Sequence, residues 1–307
     1  MNSSIPFVLL QSLSRKRSSV RIAAMFFAIL TMFGSADAET IVSFRLVHRF
    51  AIIVQVKIND SGPYDFLLDT GTNTSMISRE LAERHSLHVV DTACLHTIAG
   101  AQVVPRGYLD RITLGDRSVN DIEVLAANIS GARLLDQNIV GILGVNFLRQ
   151  FNFTIDYDTR RIVFDDQTDN KTRIRGQHHA IENIDGIFIV KAAASCRETL
   201  RMALDSGGQN VILFAAKRQH LFGDGGQNEM SWTTVFTNTG NQRLFTGRLR
   251  LLRIGNAELA NVTAMITSID RLDDKQPIDG LLPTSLFHRV YFNYTESYVV
   301  LDPMKMP

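Results

Sequence analysis

Apolar residues alternate with others through Ile52, Val54, Val56 and Ile58, and again through Phe188, Val190 and Ala192. That period of two is the signature of half-buried strands. Arg111–Arg117 and Arg250–Asn256 each read as a strand running into a glycine turn, at Gly115 and Gly255. Short helices are expected from Arg79 to His85, capped by Ser78, and from Ala215 to Leu221, ended by Gly223. The stretch beginning Asp165-Asp-Gln-Thr-Asp-Asn-Lys171 is almost free of apolar residues. It predicts a linker over 166–180 between two β-rich lobes, residues 39–165 and 181–307. The pattern is too strand-heavy for an α/β fold, so the class is mainly β.

The two lobes repeat one another. Phe66-Leu-Leu-Asp-Thr-Gly71 answers Met202-Ala-Leu-Asp-Ser-Gly207, each after a strand-like stretch (Ala51–Ile58 and Ile187–Ala193) and a turn (Asn59–Pro63 and Ser195–Glu198). Thr97-Ile-Ala-Gly100 then matches Thr237-Asn-Thr-Gly240, and Thr113-Leu-Gly115 matches Arg253-Ile-Gly255. Gly141-Ile-Leu-Gly144 matches Gly280-Leu-Leu-Pro283, and Phe153–Tyr157 matches Tyr291–Tyr294. A single Asp-Thr-Gly means little, but five ordered landmarks at nearly constant offset are a duplication.

Before the first lobe comes an address. Arg15, Lys16, Arg17 and Arg21 precede the apolar run Ile22–Phe33, and Ala36-Asp-Ala38 offers small residues at a cleavage point. This order predicts a secretory signal peptide over residues 1–38 and export to the periplasm or beyond. The run falls short of the roughly 20 residues a spanning helix needs, so no membrane span is expected after cleavage. An uncleaved N-terminal anchor is the alternative.

Composition narrows the chemistry. The net charge is +1 with no basic stripe in the body, which excludes a phosphate-backbone binder, so no nucleic-acid partner is expected. The two cysteines, Cys94 and Cys196, make neither a disulfide framework nor a thiolate zinc site. They are read either as one disulfide or as two free thiols. His85 and His88 are the only histidines at a ligand-like spacing and lack a third partner, so no metal and no cofactor is expected.

The duplicated Asp is the candidate chemistry. A carboxylate at the end of an apolar strand is costly to bury unless hydrogen-bonded. The following Thr or Ser hydroxyl and the N–H groups around the Gly can supply those bonds. If the repeats pack about a pseudo-twofold axis, Asp69 and Asp205 face each other. Two unit charges about 4 Å apart repel by roughly 4 kcal/mol at an effective dielectric near 20. That separates their ionisations by about three pH units, so the pair holds a single proton over a wide window. One carboxylate can then take a proton from water while the other polarises a carbonyl, which is general acid–base hydrolysis of an amide.

Asp69-Thr70-Gly71, Asp205-Ser206-Gly207, Ile142-Leu143-Gly144 and Leu281-Leu282-Pro283 resemble the aspartic peptidase superfamily, the pepsin and retropepsin group. Gly62–Gly71 running on to Ser78-Arg-Glu-Leu81 looks most like bacterial retropepsin-like proteins. The resemblance implies two pseudo-symmetric β-barrel lobes with an interlobe cleft, an endopeptidase activity and a peptide or protein substrate. A monomer is expected, because one chain supplies both halves. It assigns catalysis to Asp69 and Asp205, and support of the catalytic loops to Thr70, Gly71, Thr72, Ser206 and Gly207. Hairpin flaps are implied at Thr97–Gln102 and Thr237–Gln242, with Thr97, Ile98, Ala99 and Gly100 facing Thr237, Asn238, Thr239 and Gly240 across the substrate. Neither tip carries the tyrosine of pepsin-like flaps, which favours the retropepsin-like branch.

Two positions depart from the pattern. Gly208 stands where the first repeat has the hydroxyl of Thr72, and Pro283 replaces the glycine that the family packs behind the catalytic loop. They motivate a rival reading, a peptide-binding module of the same fold without turnover. A second lobe eroded so that two copies must pair through the first is a further alternative. His178-His179 is expected at the surface, Tyr291–Tyr294 in a core strand, and Trp232 in either core or cleft.

Overall fold

Strand β1 (Thr40–Ser43) opens the described part of the chain. The computed structural model describes residues 40–165, 176–194, 198–214, 231–267 and 278–304. The expected signal peptide, the helix expected over 215–221, residues 166–175 of the linker and Cys196 lie outside the described residues. The last four residues of the expected linker, Gln177–Ala180, form a strand. Cys94 is a free, exposed thiol.

The first lobe is built from β2 (Arg45–Val47), β3 (Ala51–Ile58), β4 (Ser61–Leu68), β5 (Ser75–Ser78), β6 (His88–Thr97), β7 (Gly100–Leu114), β8 (Arg117–Ala127) and β9 (Ile139–Leu143). They make one sheet in the order β2-β3-β4-β9-β5-β8-β7-β6, closed on itself by a further β3–β7 pairing. The alternation read at Ile52, Val54, Val56 and Ile58 is the buried face of β3. The turn expected over Asn59–Pro63 is shorter: Asn59 and Asp60 alone turn the chain, both at positive φ, and β4 begins at Ser61. Arg79–Arg84 is helical, and the Ser78 hydroxyl caps it by accepting the Leu81 N–H at 3.2 Å.

Two strands follow before the second lobe, β10 (Asn152–Asp156) and β11 (Arg161–Asp165), and then β12 (Gln177–Ala180). The second lobe comprises β13 (Glu182–Ile184), β14 (Ile187–Ala194), β15 (Thr199–Asp205), β16 (Val211–Phe214), β17 (Ser231–Thr237), β18 (Gly240–Ile254), β19 (Ala257–Thr267) and β20 (Gly280–Pro283). Their order, β13-β14-β15-β20-β16-β19-β18-β17 with an extra β14–β18 pairing, is the first lobe's order strand for strand.

The third sheet joins the lobes. With β21 (Phe287–Asn293) and β22 (Tyr298–Pro303) it runs β1-β11-β10-β21-β22-β12. Its centre is the antiparallel pair β10–β21, in which Phe153 faces Phe292 and the two rings stack at 4.9 Å. These are the matched landmarks Phe153–Tyr157 and Tyr291–Tyr294, so each repeat supplies one of the two central strands. The apolar core is continuous from Val54 and Phe66 through Phe153 and Phe292 to Val190 and Leu204.

His178 is exposed, as expected, and stacks on Tyr298 at 4.9 Å, while His179 is half-buried beside it. Trp232 is 52 % exposed, its indole against Phe245 and under the Arg243 guanidinium at 5.2 Å, so it is no part of the core.

Candidate active site

Parallel pairing places both acids. In each lobe the strand that carries the Asp runs parallel to the strand of the second landmark, β4 with β9 and β15 with β20. The register puts Leu68 beside Leu143 and Asp205 beside Pro283. The Asp69 N–H is held by the Leu143 carbonyl at 3.0 Å. Both side chains come out where the two lobes abut.

There the carboxyl groups hydrogen-bond to each other. Asp69 Oδ1 accepts the Gly71 N–H at 2.8 Å and Oδ2 accepts the Thr72 hydroxyl at 2.7 Å. Asp205 Oδ1 accepts the Gly207 N–H at 2.7 Å, and the Gly208 N–H adds a second backbone bond. The glycines are required by space. A Cβ on Gly71 would lie 3.0 Å from Asp205 Cγ, and one on Gly207 would lie 2.7 Å from Asp69 Cγ, so each loop turns against the opposite acid.

Burial pushes both carboxyls above the ordinary carboxylate range. The two then diverge. Asp69 is drawn back by the Thr72 hydroxyl and the Gly71 N–H, whereas Asp205 is pushed further by the Asp69 charge and drawn back by the Gly207 and Gly208 N–H groups. Asp205 is raised the further of the two, and two buried carboxyls in contact favour a single shared proton. The Thr72 hydroxyl on Asp69 has no counterpart at Gly208, where a backbone N–H serves Asp205 instead.

Beneath the acids, Thr70 and Ser206 lock the lobes together. The Thr70 hydroxyl donates to the Leu204 carbonyl at 2.9 Å and accepts the Ser206 N–H at 3.1 Å. Reciprocally, the Ser206 hydroxyl donates to the Leu68 carbonyl at 2.9 Å and accepts the Thr70 N–H at 3.0 Å. Both side chains are buried, and four interlobe bonds satisfy groups that no water reaches.

The support behind the loops differs between lobes. In the first, the Gly144 N–H donates to Ser75 Oγ at 3.0 Å, Ser75 Oγ donates to Asn146 Oδ1 at 2.7 Å, and Asn146 Nδ2 donates to the Glu123 carbonyl at 2.7 Å. In the second, Val211 occupies the Ser75 position and Pro283 the Gly144 position. The donor that proline removes thus faces no hydroxyl that needs it. Pro283 instead caps a short 3-10 turn, Thr284–Leu286, and Phe287 already starts β21. The Thr284 hydroxyl is 2.6 Å from the Tyr157 hydroxyl, both buried, tying the turn to the joining sheet. Tyr157, Ser75 and Asn146 escaped the sequence reading because their partners lie far away along the chain; only the repeat comparison of position 75 with 211 carried a signal.

Both expected flaps are β-hairpins with two-residue tips. Ile98 and Ala99 join β6 to β7, and Asn238 and Thr239 join β17 to β18, with Gly100 at φ 135° and Gly240 at φ 145°. Those angles suit glycine alone. The tips touch: Thr97 Oγ1 is 3.3 Å from Thr237 Oγ1 and hydrogen-bonds to the Thr239 hydroxyl. Thr97, Thr237 and Thr239 are thereby brought together. Among the described residues no three His, Cys, Asp or Glu side chains are gathered where a metal could sit.

Residues 54–147 match the family described as aspartyl protease. Among solved structures, a retropepsin-like aspartic protease from Rickettsia conorii is similar, with 17% identity over 41% of this chain and 90% of that one and a TM-score of 0.31. No curated protein matches. The chain resembles the aspartic peptidase superfamily: the family match spans the first lobe, and the second lobe copies that lobe strand for strand and carries the second of the paired Asp-Thr/Ser-Gly loops.

Proposed function

We propose that the chain is an exported aspartic endopeptidase that cleaves extended peptides between its lobes. The observation that carries this reading is the hydrogen-bonded acid pair, both members raised by burial, in which we assign the proton to Asp205. A water bound between them gives a proton to Asp69 as its oxygen attacks the scissile carbonyl carbon. Asp205 gives its proton to the carbonyl oxygen, so a neutral tetrahedral adduct forms without a charged oxyanion. On collapse Asp69 passes its proton to the departing nitrogen, and the adduct returns a hydroxyl proton to Asp205. The pair ends as it began. Peptide backbone would pair with the flap strands, strand-fashion, above the acids. One copy carries both acids, which favours a monomer. Export rests on the order of charged, apolar and small residues in 1–38.

The purified chain, incubated with a diverse peptide pool across roughly pH 3 to 8, is expected to yield defined cut sites by mass spectrometry. Asp69→Asn and Asp205→Asn should each reduce cleavage by about 10³-fold with the thermal melt retained. Cleavage surviving in either folded variant refutes the mechanism. Peptide binding without cleavage at any pH establishes the rival binding module instead.

A further inference from the structure

The two flap tips are docked differently. Ile98, at the tip of the first flap, is only 8 % exposed although it lies in a hairpin turn. It reaches across the cleft into the second lobe and packs with Ile212, Phe214, Leu244 and Met265, flanked by Leu281. Leu281 pairs with Ala203, two residues before Asp205, and Ile212 pairs with Leu281. This recess is thus the apolar wall of the cleft next to one acid. The equivalent tip residue of the second flap is Asn238, and it enters no apolar recess. Its Oδ1 accepts the Ala132 N–H of the first lobe at 3.4 Å. The matching first-lobe wall, with Met76, Val104, Leu125 and Ile142, is filled by Ile129 and Ala132 of its own chain segment.

A substrate under the flaps must displace what the closed flaps hold. We infer that Ile98 is an internal stand-in for a substrate side chain: it latches the flap by filling a second-lobe subsite, and a large aliphatic side chain of the peptide takes its place. The inference rests on the endopeptidase reading for its ligand, but the latch exists without turnover. The second-lobe side of the cleft should select in this way, because Ile98 packs there, whereas Ile129 and Ala132 pack the matching first-lobe wall. Leaving the recess exposes apolar surface, so an occupied Ile98 lowers the competent fraction and with it the apparent affinity.

Hydrogen exchange on the full chain tests the latch, and calorimetry with statine-type peptide analogues tests the displacement. Without ligand, residues 97–102 should be protected in the wild type, exchange about tenfold faster in Ile98→Ala, and regain protection in Ile98→Leu. Ile98→Ala should bind an analogue with leucine on both sides of the statine unit several-fold more tightly than wild type. Replacing leucine by glycine on one side should weaken wild-type binding about tenfold, and on the other side little. Unchanged exchange in Ile98→Ala, weaker binding by it, or equal loss on both sides overturns the inference. These results obtained with a chain that cleaves nothing would keep the latch and refute the endopeptidase; cleavage with unaltered exchange would do the reverse.

Discussion

Among the described residues the lobes share one strand order, yet they hold their acids by different means. The first Asp-Thr-Gly loop rests on a polar lattice, Gly144 to Ser75 to Asn146 to Glu123, and its acid receives the Thr72 hydroxyl. The second rests on Val211, the fixed φ of Pro283 and the Thr284–Tyr157 bond, and its acid receives backbone N–H groups alone. Strand pairing fixes where the two acids stand. The surrounding polar groups then decide how they share a proton. A duplicated fold can therefore give its halves separate chemical roles without any change in topology, because a carboxyl's proton affinity answers to its immediate hydrogen bonds.

The part of the comparison the lobes hold in common should break hardest. Thr70→Ala removes a hydroxyl that serves the Leu204 carbonyl and the Ser206 N–H, leaving both buried without partners. At about 1–3 kcal/mol for each orphaned group, the melting temperature should fall by roughly 5–10 °C. Ser206→Ala should fall by a similar amount, since its bonds mirror those of Thr70. A much smaller loss in either variant would mean that the lobes are held by the joining sheet rather than by this cross-link.

The difference between the acids is sharpened by Thr72→Val. The Thr72 hydroxyl favours the ionised form of Asp69, so its removal raises the pKa of that group. The acid limb of the kcat/KM profile should therefore move up by about one pH unit, with the alkaline limb, set by Asp205, nearly fixed. A shift of the alkaline limb instead would reverse the assignment of the proton. Smallest of all, Pro283→Gly should cost less than about 1 kcal/mol in a urea melt, chiefly through the entropy of the unfolded chain. In the first lobe Gly144→Pro should cost several times more, for it deletes the donor to Ser75 and crowds the Thr72 carbonyl, which a Cβ there would approach to 2.7 Å.

Much of this was legible along the chain. Alternation gave β3 and β14 almost residue for residue, since burial on one face of a strand leaves a period of two. The capped helix after Ser78 followed from a local bond, and the hairpin tips from glycines that no other residue replaces at those angles. Pro283 looked damaging for the opposite reason. Its effect depends on position 211, which is adjacent in space and remote in sequence, so the proline stood alone until the fold supplied its neighbour. Trp232 was left between core and cleft because an aromatic in a strand carries no mark of which face its sheet will cover.

Local rules and an internal repeat were enough to determine the mainly β class, the two lobes, the paired acids and the glycine turns, since each depends on residues within a few positions or on likeness between halves. Tertiary packing alone decided that Asp205 is raised further than Asp69, that Thr70 and Ser206 bond reciprocally, and that Ile98 rather than its counterpart Asn238 packs into an apolar cluster of the opposite lobe. Those outcomes depend on desolvation and on contacts between segments more than a hundred residues apart. Neither quantity exists until the chain has folded.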